Sequence, residues 1–182
     1  MALAGKWRKV TLRTIPVYLL TAALIFYARP TFYSFAEGLV LVLAGEGIRV
    51  WAAGHIQKNQ ELTTSGPYAY LKNPLYFGTF WIMLGFCLIS RTFFLMTVGL
   101  CIFLLYYAPY KKRREGKRLL KEFGSRWEEY DREVPDYLPR VTPYPRRGAR
   151  RWSFLLFLEN DEQGTAAAVL LGIAAMALRS WV

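Results

Sequence analysis

The 182-residue chain has one histidine and two cysteines. A lone imidazole, His55, excludes a histidine-rich metal centre and argues against a zinc hydrolase, which needs several nitrogen or sulfur ligands at once. Cys87 and Cys101 lie inside apolar runs with neither a CxxC spacing nor a histidine beside them, so they read as small hydrophobes and not as metal or redox partners. No strand-like segment followed by G-x-G-x-x-G is present, which excludes a dinucleotide-type phosphate loop. Internal repeats and long low-complexity tails are also absent. Acidic side chains are scarce, 13 against 24 lysines and arginines, for a net charge of +11. The basic residues cluster at 6–13, 58–72 and 111–118, each beside an apolar run and none within a nucleic-acid-binding module. No nucleic-acid partner is expected; charge so placed orients a chain at a membrane or attracts anionic lipid headgroups.

Apolar residues are plentiful, 54% of the chain. They are also clustered: 73–90 and 92–110 contain no ionisable acid or base apart from tyrosine and cysteine. Apolar runs of this kind predict an all-α, polytopic integral membrane protein of one domain, with about five transmembrane helices at 14–28, 35–54, 75–90, 92–110 and 164–180 and a cytosolic amphipathic helix. The first helix is expected to be retained, because no small-x-small cleavage site follows it. Positive charge then places the N-terminal tail, the loop at 55–74 and the segment at 111–151 in the cytosol, with Arg29 and Arg91 in short external turns. The expected location is a bacterial or archaeal cytoplasmic membrane with the active site facing the cytosol.

Local signals refine this outline. Pro74 suits the first turn of a helix and Asn73 its cap. Ser90-Arg91-Thr92 predicts a tight reversal between antiparallel helices. Leu119, Leu120, Phe123, Trp127 and Tyr130 recur at helical spacing, with Gly116 and Gly124 as weak points and Pro135 and Pro139 as stops. Glu46 and Arg49, three apart, share a helix face that either locks helices together or points into a site. A short interfacial helix is expected at 151–159, with Trp152 at headgroup level. Gly66-Pro67 predicts a tight turn, and Tyr68, Tyr70 and Tyr76 read equally as interfacial anchors or as pocket walls.

Two blocks carry more specific information. The first is TSGPYAYLKNPLYFG, Thr64 to Gly78; the second is E-x3-L-x3-FG-x2-W-x2-Y-x3-VP, Glu115 to Pro135. In order and spacing they resemble the isoprenylcysteine carboxyl methyltransferase family and, more broadly, the integral membrane methyltransferases that include phospholipid N-methyltransferases. The resemblance implies S-adenosylmethionine as methyl donor, held without a Rossmann fold by Thr64, Gly66, Pro67, Tyr68, Tyr70, Lys72, Asn73, Pro74, Tyr76, Glu115, Tyr130 and Tyr137. It assigns the catalytic positions to Glu115, Asn73 and Lys111, and substrate contact to Arg49, Arg126 and Arg132; no metal is implied. The chain departs from the family pattern at Asn73, where many members have histidine, at Lys111, which replaces an arginine, and at Gly116, which replaces a second glutamate. Asparagine cannot serve as a titrating base near neutral pH.

The expected reaction is carboxyl methylation of an isoprenylated cysteine, with membrane lipids and a lipophilic or prenylated acceptor as partners. N-methylation of a phosphatidylethanolamine-like lipid and S-methylation of a thiol are the alternatives within the enzyme class. A noncatalytic membrane scaffold is the alternative outside it.

Overall fold

The computed structural model describes residues 23–57, 60–101 and 108–180. Among these residues the regular structure is all helical, without strands, and 134–153 form an irregular connection. Helix α1 spans Phe32–Ala53. Thr31 caps it, accepting from the Ser34 amide while the Ser34 hydroxyl accepts from the Thr31 amide, so two donors of the first turn are satisfied reciprocally. A 3-10 turn at Gly66–Ala69 follows, then α2 at Pro74–Ser90 and α3, described over Phe93–Cys101. Beyond these lie α4 (Ala108–Phe123), α5 (Ser125–Glu133), α6 (Phe154–Glu159) and α7 (Glu162–Arg179).

The expected five-span membrane architecture is not what these helices form. Among the described residues no helix is long and apolar enough to cross a membrane. At 1.5 Å per residue, α2 with 17 residues is about 26 Å long, short of a hydrocarbon core of about 30 Å. Helix α1 has the length, 22 residues, but carries Glu37, Glu46 and Arg49. Helix α7 has 18 residues and begins and ends on charged groups, Glu162 and Arg179. The expectations of polytopic topology, integral placement in a cytoplasmic membrane and a cytosol-facing site are corrected accordingly. Most of the expected first span, 14–28, lies outside the described residues, as does the centre of the expected span at 92–110.

Helices α1 and α2 form the body of the molecule. Their antiparallel backbones meet at glycines: a Cβ on Gly38 would lie 2.5 Å from the Gly85 carbonyl oxygen, and one on Gly45 would lie 2.6 Å from that of Gly78. Val42, Ile82 and Ile89 fill the seam, and Val169 and Met176 of α7 close it. Cys87 is buried here, its thiol pushed up to about 11 by burial, whereas Cys101 is exposed. The reversal after α2 uses a left-handed Arg91 (φ 57°). Asn73 occupies the cap position of α2 and Pro74 its first turn, but the Asn73 side chain makes no capping bond.

The amphipathic segment is two helices, not one. Gly116 passes inside α4, while Gly124 (φ +55°) breaks the chain between α4 and α5. Trp152 also departs from its expected role as a headgroup anchor. Its indole N–H donates to the Val50 carbonyl at 3.0 Å, and Ser153 N–H donates to the Gly54 carbonyl, so this segment ties off the end of α1.

Candidate active site

The loop between α1 and α2 is shaped from beneath by His55. Its Nδ1 lies 3.1 Å from the Ser65 hydroxyl, and its ring stands where a Cβ on Gly66 would fall, 2.4 Å from Cδ2. Gly66 has φ +57°, so both its backbone and its surroundings require glycine. Burial, and secondarily Arg150, lowers the His55 pKa and favours the neutral ring.

From above, α5 and the following segment clamp the same loop. The Tyr130 hydroxyl donates to the Tyr68 carbonyl at 2.6 Å. Lys72 is held by Asp131 at 2.6 Å and Asp136 at 3.3 Å, and its amide donates to the Pro135 carbonyl. Tyr144 N–H and Arg140 N–H donate to the Ala69 and Tyr70 carbonyls. Ala69, Tyr130, Val134 and Tyr144 form a small second core around this junction.

Between loop and clamp lies a cavity of about 540 Å³, within the range of small-molecule sites. Tyr68, Lys72, Asn73, Pro74 and Tyr76 line one side, Glu115 and Tyr130 the other, and Arg49 of α1 reaches the wall as well. The Tyr76 hydroxyl lies 3.4 Å from Glu115 Oε1, so the two sequence blocks meet. Asp131, Asp136, Glu122 and Trp127 complete much of the α4–α5 side.

Other expected site residues stand elsewhere. The Thr64 hydroxyl accepts from the Gly148 amide, Tyr70 packs on Trp51 with ring centroids 6.4 Å apart, and Tyr137 is exposed. Gly66 and Pro67 form the turn behind the cavity and do not line it. Arg126 and Arg132 are on exposed positions of α5 and do not line it either. The Lys111 side chain lies outside the described residues.

Two features fit a polar, partly cationic ligand such as S-adenosylmethionine. The Tyr68 hydroxyl is fully buried and has no hydrogen-bond partner among the described residues. Burial, followed by the proximity of Tyr130, Glu162 and Tyr76, keeps it protonated, with Arg49 opposing. A buried hydroxyl without a partner is costly unless a ligand completes it. The cavity wall also carries carboxylates, which suit the ammonium and sulfonium charges of such a donor.

Arg49 does not pair with Glu46, its neighbour on α1. Its Nη2 binds both carboxylate oxygens of Glu162 at 2.7 Å. Both Glu46 oxygens are buried without a partner among the described residues, and burial raises its pKa, with Arg49 lowering it and Glu162 raising it. Nothing in the sequence marked Glu162: it lies 113 residues from Arg49, beyond both motif blocks. His55, Asp131 and Asp136 were likewise visible only as a lone imidazole and two acids in a charged run.

Residues 35–126, half of the chain, match the family described as PEMT: Phospholipid methyltransferase. The cobalt-zinc-cadmium resistance protein CzcN of Cupriavidus metallidurans is 31% identical over 157 residues, covering 82% of this chain and 68% of that protein. The nickel-cobalt-cadmium resistance protein NccN of Alcaligenes xylosoxydans xylosoxydans is 31% identical over 96 residues, 52% of this chain and 44% of that one. The protein-S-isoprenylcysteine O-methyltransferase of Schizosaccharomyces pombe is 29% identical over 101 residues, 56% and 42% respectively. The chain thus spans about two thirds of the first relative and under half of the other two. No solved structure matches.

The isoprenylcysteine carboxyl methyltransferase assignment drawn from the motifs is corrected by the family match, and carboxyl methylation gives way with it. The protein is an S-adenosylmethionine-dependent methyltransferase, S-adenosylmethionine is its cofactor, and its family relates it to lipid substrates. The chain belongs to the phospholipid methyltransferase family.

Proposed function

We propose that the protein methylates the amine of an ethanolamine-type phospholipid headgroup. The observation that carries this reading is Tyr68: it lines the cavity where the two motif blocks meet, and its buried hydroxyl lacks a partner among the described residues. When bound, S-adenosylmethionine supplies a methyl group already activated on a sulfonium sulfur, which leaves alignment and exclusion of water to the protein.

On this reading the Tyr68 hydroxyl donates to the donor's amino-acid end. Glu115, beside the Tyr76 hydroxyl, offsets positive charge, and the Tyr76 ring offers a face to the sulfonium. Asn73 positions the donor through hydrogen bonds, while Pro74 and the Gly66-Pro67 turn fix the loop. Lys72 shapes the wall, because two aspartates already neutralise its charge. Arg49 takes the acceptor's phosphodiester, for which a guanidinium is well matched. An ammonium acceptor becomes nucleophilic only after deprotonation. Net transfer forms one N–C bond, breaks one S–C bond and releases one proton, for which the Glu115 carboxylate is the base at hand.

The names of two relatives refer to metal resistance. Among the described residues no group of three or more His, Cys, Asp or Glu side chains could hold a metal ion, so that property is not carried over.

Incubation with methyl-labelled S-adenosylmethionine and short-chain phosphatidylethanolamine is expected to label the lipid amine. Protein that binds the donor yet leaves the amine unlabelled would refute the acceptor assignment. Tyr68→Phe is expected to weaken donor binding by roughly two- to tenfold, the worth of one hydrogen bond, without lowering the melting temperature. Unchanged affinity by calorimetry removes Tyr68 from the site.

A further inference from the structure

The Arg49 guanidinium has five N–H groups. Nη1 donates to the Leu75 carbonyl at 3.2 Å and to the Thr79 hydroxyl at 2.6 Å; Nη2 meets both Glu162 oxygens at 2.7 Å, with the Thr165 hydroxyl at 3.5 Å. Among the described residues only Nε is left, and it is buried without a partner there. Because Arg49 lines the cavity, this N–H is the donor remaining for an acceptor atom of a ligand. Glu162 is 5% exposed and belongs to α7, outside the family-matched residues.

We infer that Glu162 is a positioning residue for the acceptor lipid: acting through Arg49, it aims the one remaining N–H, on Nε, at the anionic phosphodiester. This rests on the phospholipid reading above. The alternative partner for Arg49 is Glu46, three residues earlier on the same helix, whose carboxylate oxygens are buried and unmatched. Without Glu162 the guanidinium has a nearby carboxylate to collapse onto, and Nε is no longer held in place for the lipid. Helix α7 therefore acts on the site from behind, by outcompeting Glu46.

The test uses full-length protein and two probes that both carry anionic oxygens: dihexanoylphosphatidylethanolamine below its micelle concentration, and S-adenosylmethionine. In Glu162→Gln, lipid affinity measured calorimetrically without donor is expected to fall about ten- to a hundredfold, as for loss of one charged hydrogen bond, and the acceptor KM to rise in step. Donor affinity and kcat at saturating acceptor should hold. Glu162→Asp should recover part of the loss, and Glu46→Gln in the Glu162→Gln background should recover part as well, since the competing carboxylate is gone.

If Glu162→Gln does not fold, the apolar pair Arg49→Met with Glu162→Leu keeps the helices packed without a buried charge. It should bind donor and lose the lipid. Weakened donor binding with intact lipid binding, or lipid binding by the apolar pair equal to that of the parent protein, overturns the inference. Failure of the parent protein to bind or methylate the lipid refutes instead the phospholipid reading on which it rests.

Discussion

Tyr68 and Tyr130 carry the same hydroxyl, both buried and both raised in pKa by burial first. Tyr130 spends its proton on the Tyr68 carbonyl, while the Tyr68 hydroxyl is buried without a partner among the described residues. Their presence in two motif blocks was legible in the sequence; the division of labour was not, because it depends on which oxygen lies within 3 Å. His55 makes the same point. As the only histidine it excluded a histidine-rich metal centre, yet its work is to support the Gly66 turn as a neutral ring.

A pH dependence follows at this scale. The folded protein lowers the His55 pKa below its ordinary 6.5, so the unfolded chain takes up the proton first. Its contribution to stability is complete above pH 6.5 and is lost as the pH falls from there through the lowered value. Thermal melts of His55→Gln should show a smaller loss between pH 7.5 and pH 5 than the parent protein does. Identical slopes would mean that His55 does not titrate with unfolding.

Among elements, α1 and α2 depend on glycine-to-glycine contact. Gly45→Val puts side-chain atoms where the Gly78 carbonyl already stands, and it is expected to cost at least about 1–3 kcal/mol in urea unfolding, the usual range for overpacking. Gly47, two residues on in the same helix, has nothing within 4 Å of a built Cβ. Gly47→Ala should therefore stabilise by about 0.5–1 kcal/mol, because alanine gives up less backbone freedom. Equal effects at the two sites would contradict the packing.

Periodicity revealed the helical character of the 111–133 segment but not its division. Gly116 and Gly124 are equally poor helix formers, and only at Gly124 does the backbone turn to positive φ. Apolar runs likewise located α2 and α7 but misjudged what they do. Hydropathy counts residues, whereas spanning requires helix length free of ionic groups, and Glu162 is spent on Arg49 inside the fold.

For the whole molecule, the +11 charge acts at long range. Binding to vesicles containing anionic phospholipid is expected to weaken as sodium chloride rises from about 0.1 to 1 M, where the Debye length shrinks from about 10 to about 3 Å. Cosedimentation measures this directly. Binding insensitive to salt would assign vesicle contact to exposed apolar side chains such as Phe93, Phe94, Leu170 and Leu171.

Composition and local pattern alone determined a helical chain, its excess of positive charge, the turns at Gly66 and Arg91, and the two blocks that supply most of the cavity wall. These follow from neighbours along the chain, whose spacing the sequence states. Tertiary structure decided that Arg49 binds Glu162 and not the nearer Glu46, that two aspartates neutralise Lys72, and that the Tyr68 hydroxyl is left unmatched. Such choices turn on distances of a few ångströms between groups up to 113 residues apart, and electrostatic and hydrogen-bond energies depend on that distance in space, not on separation along the chain.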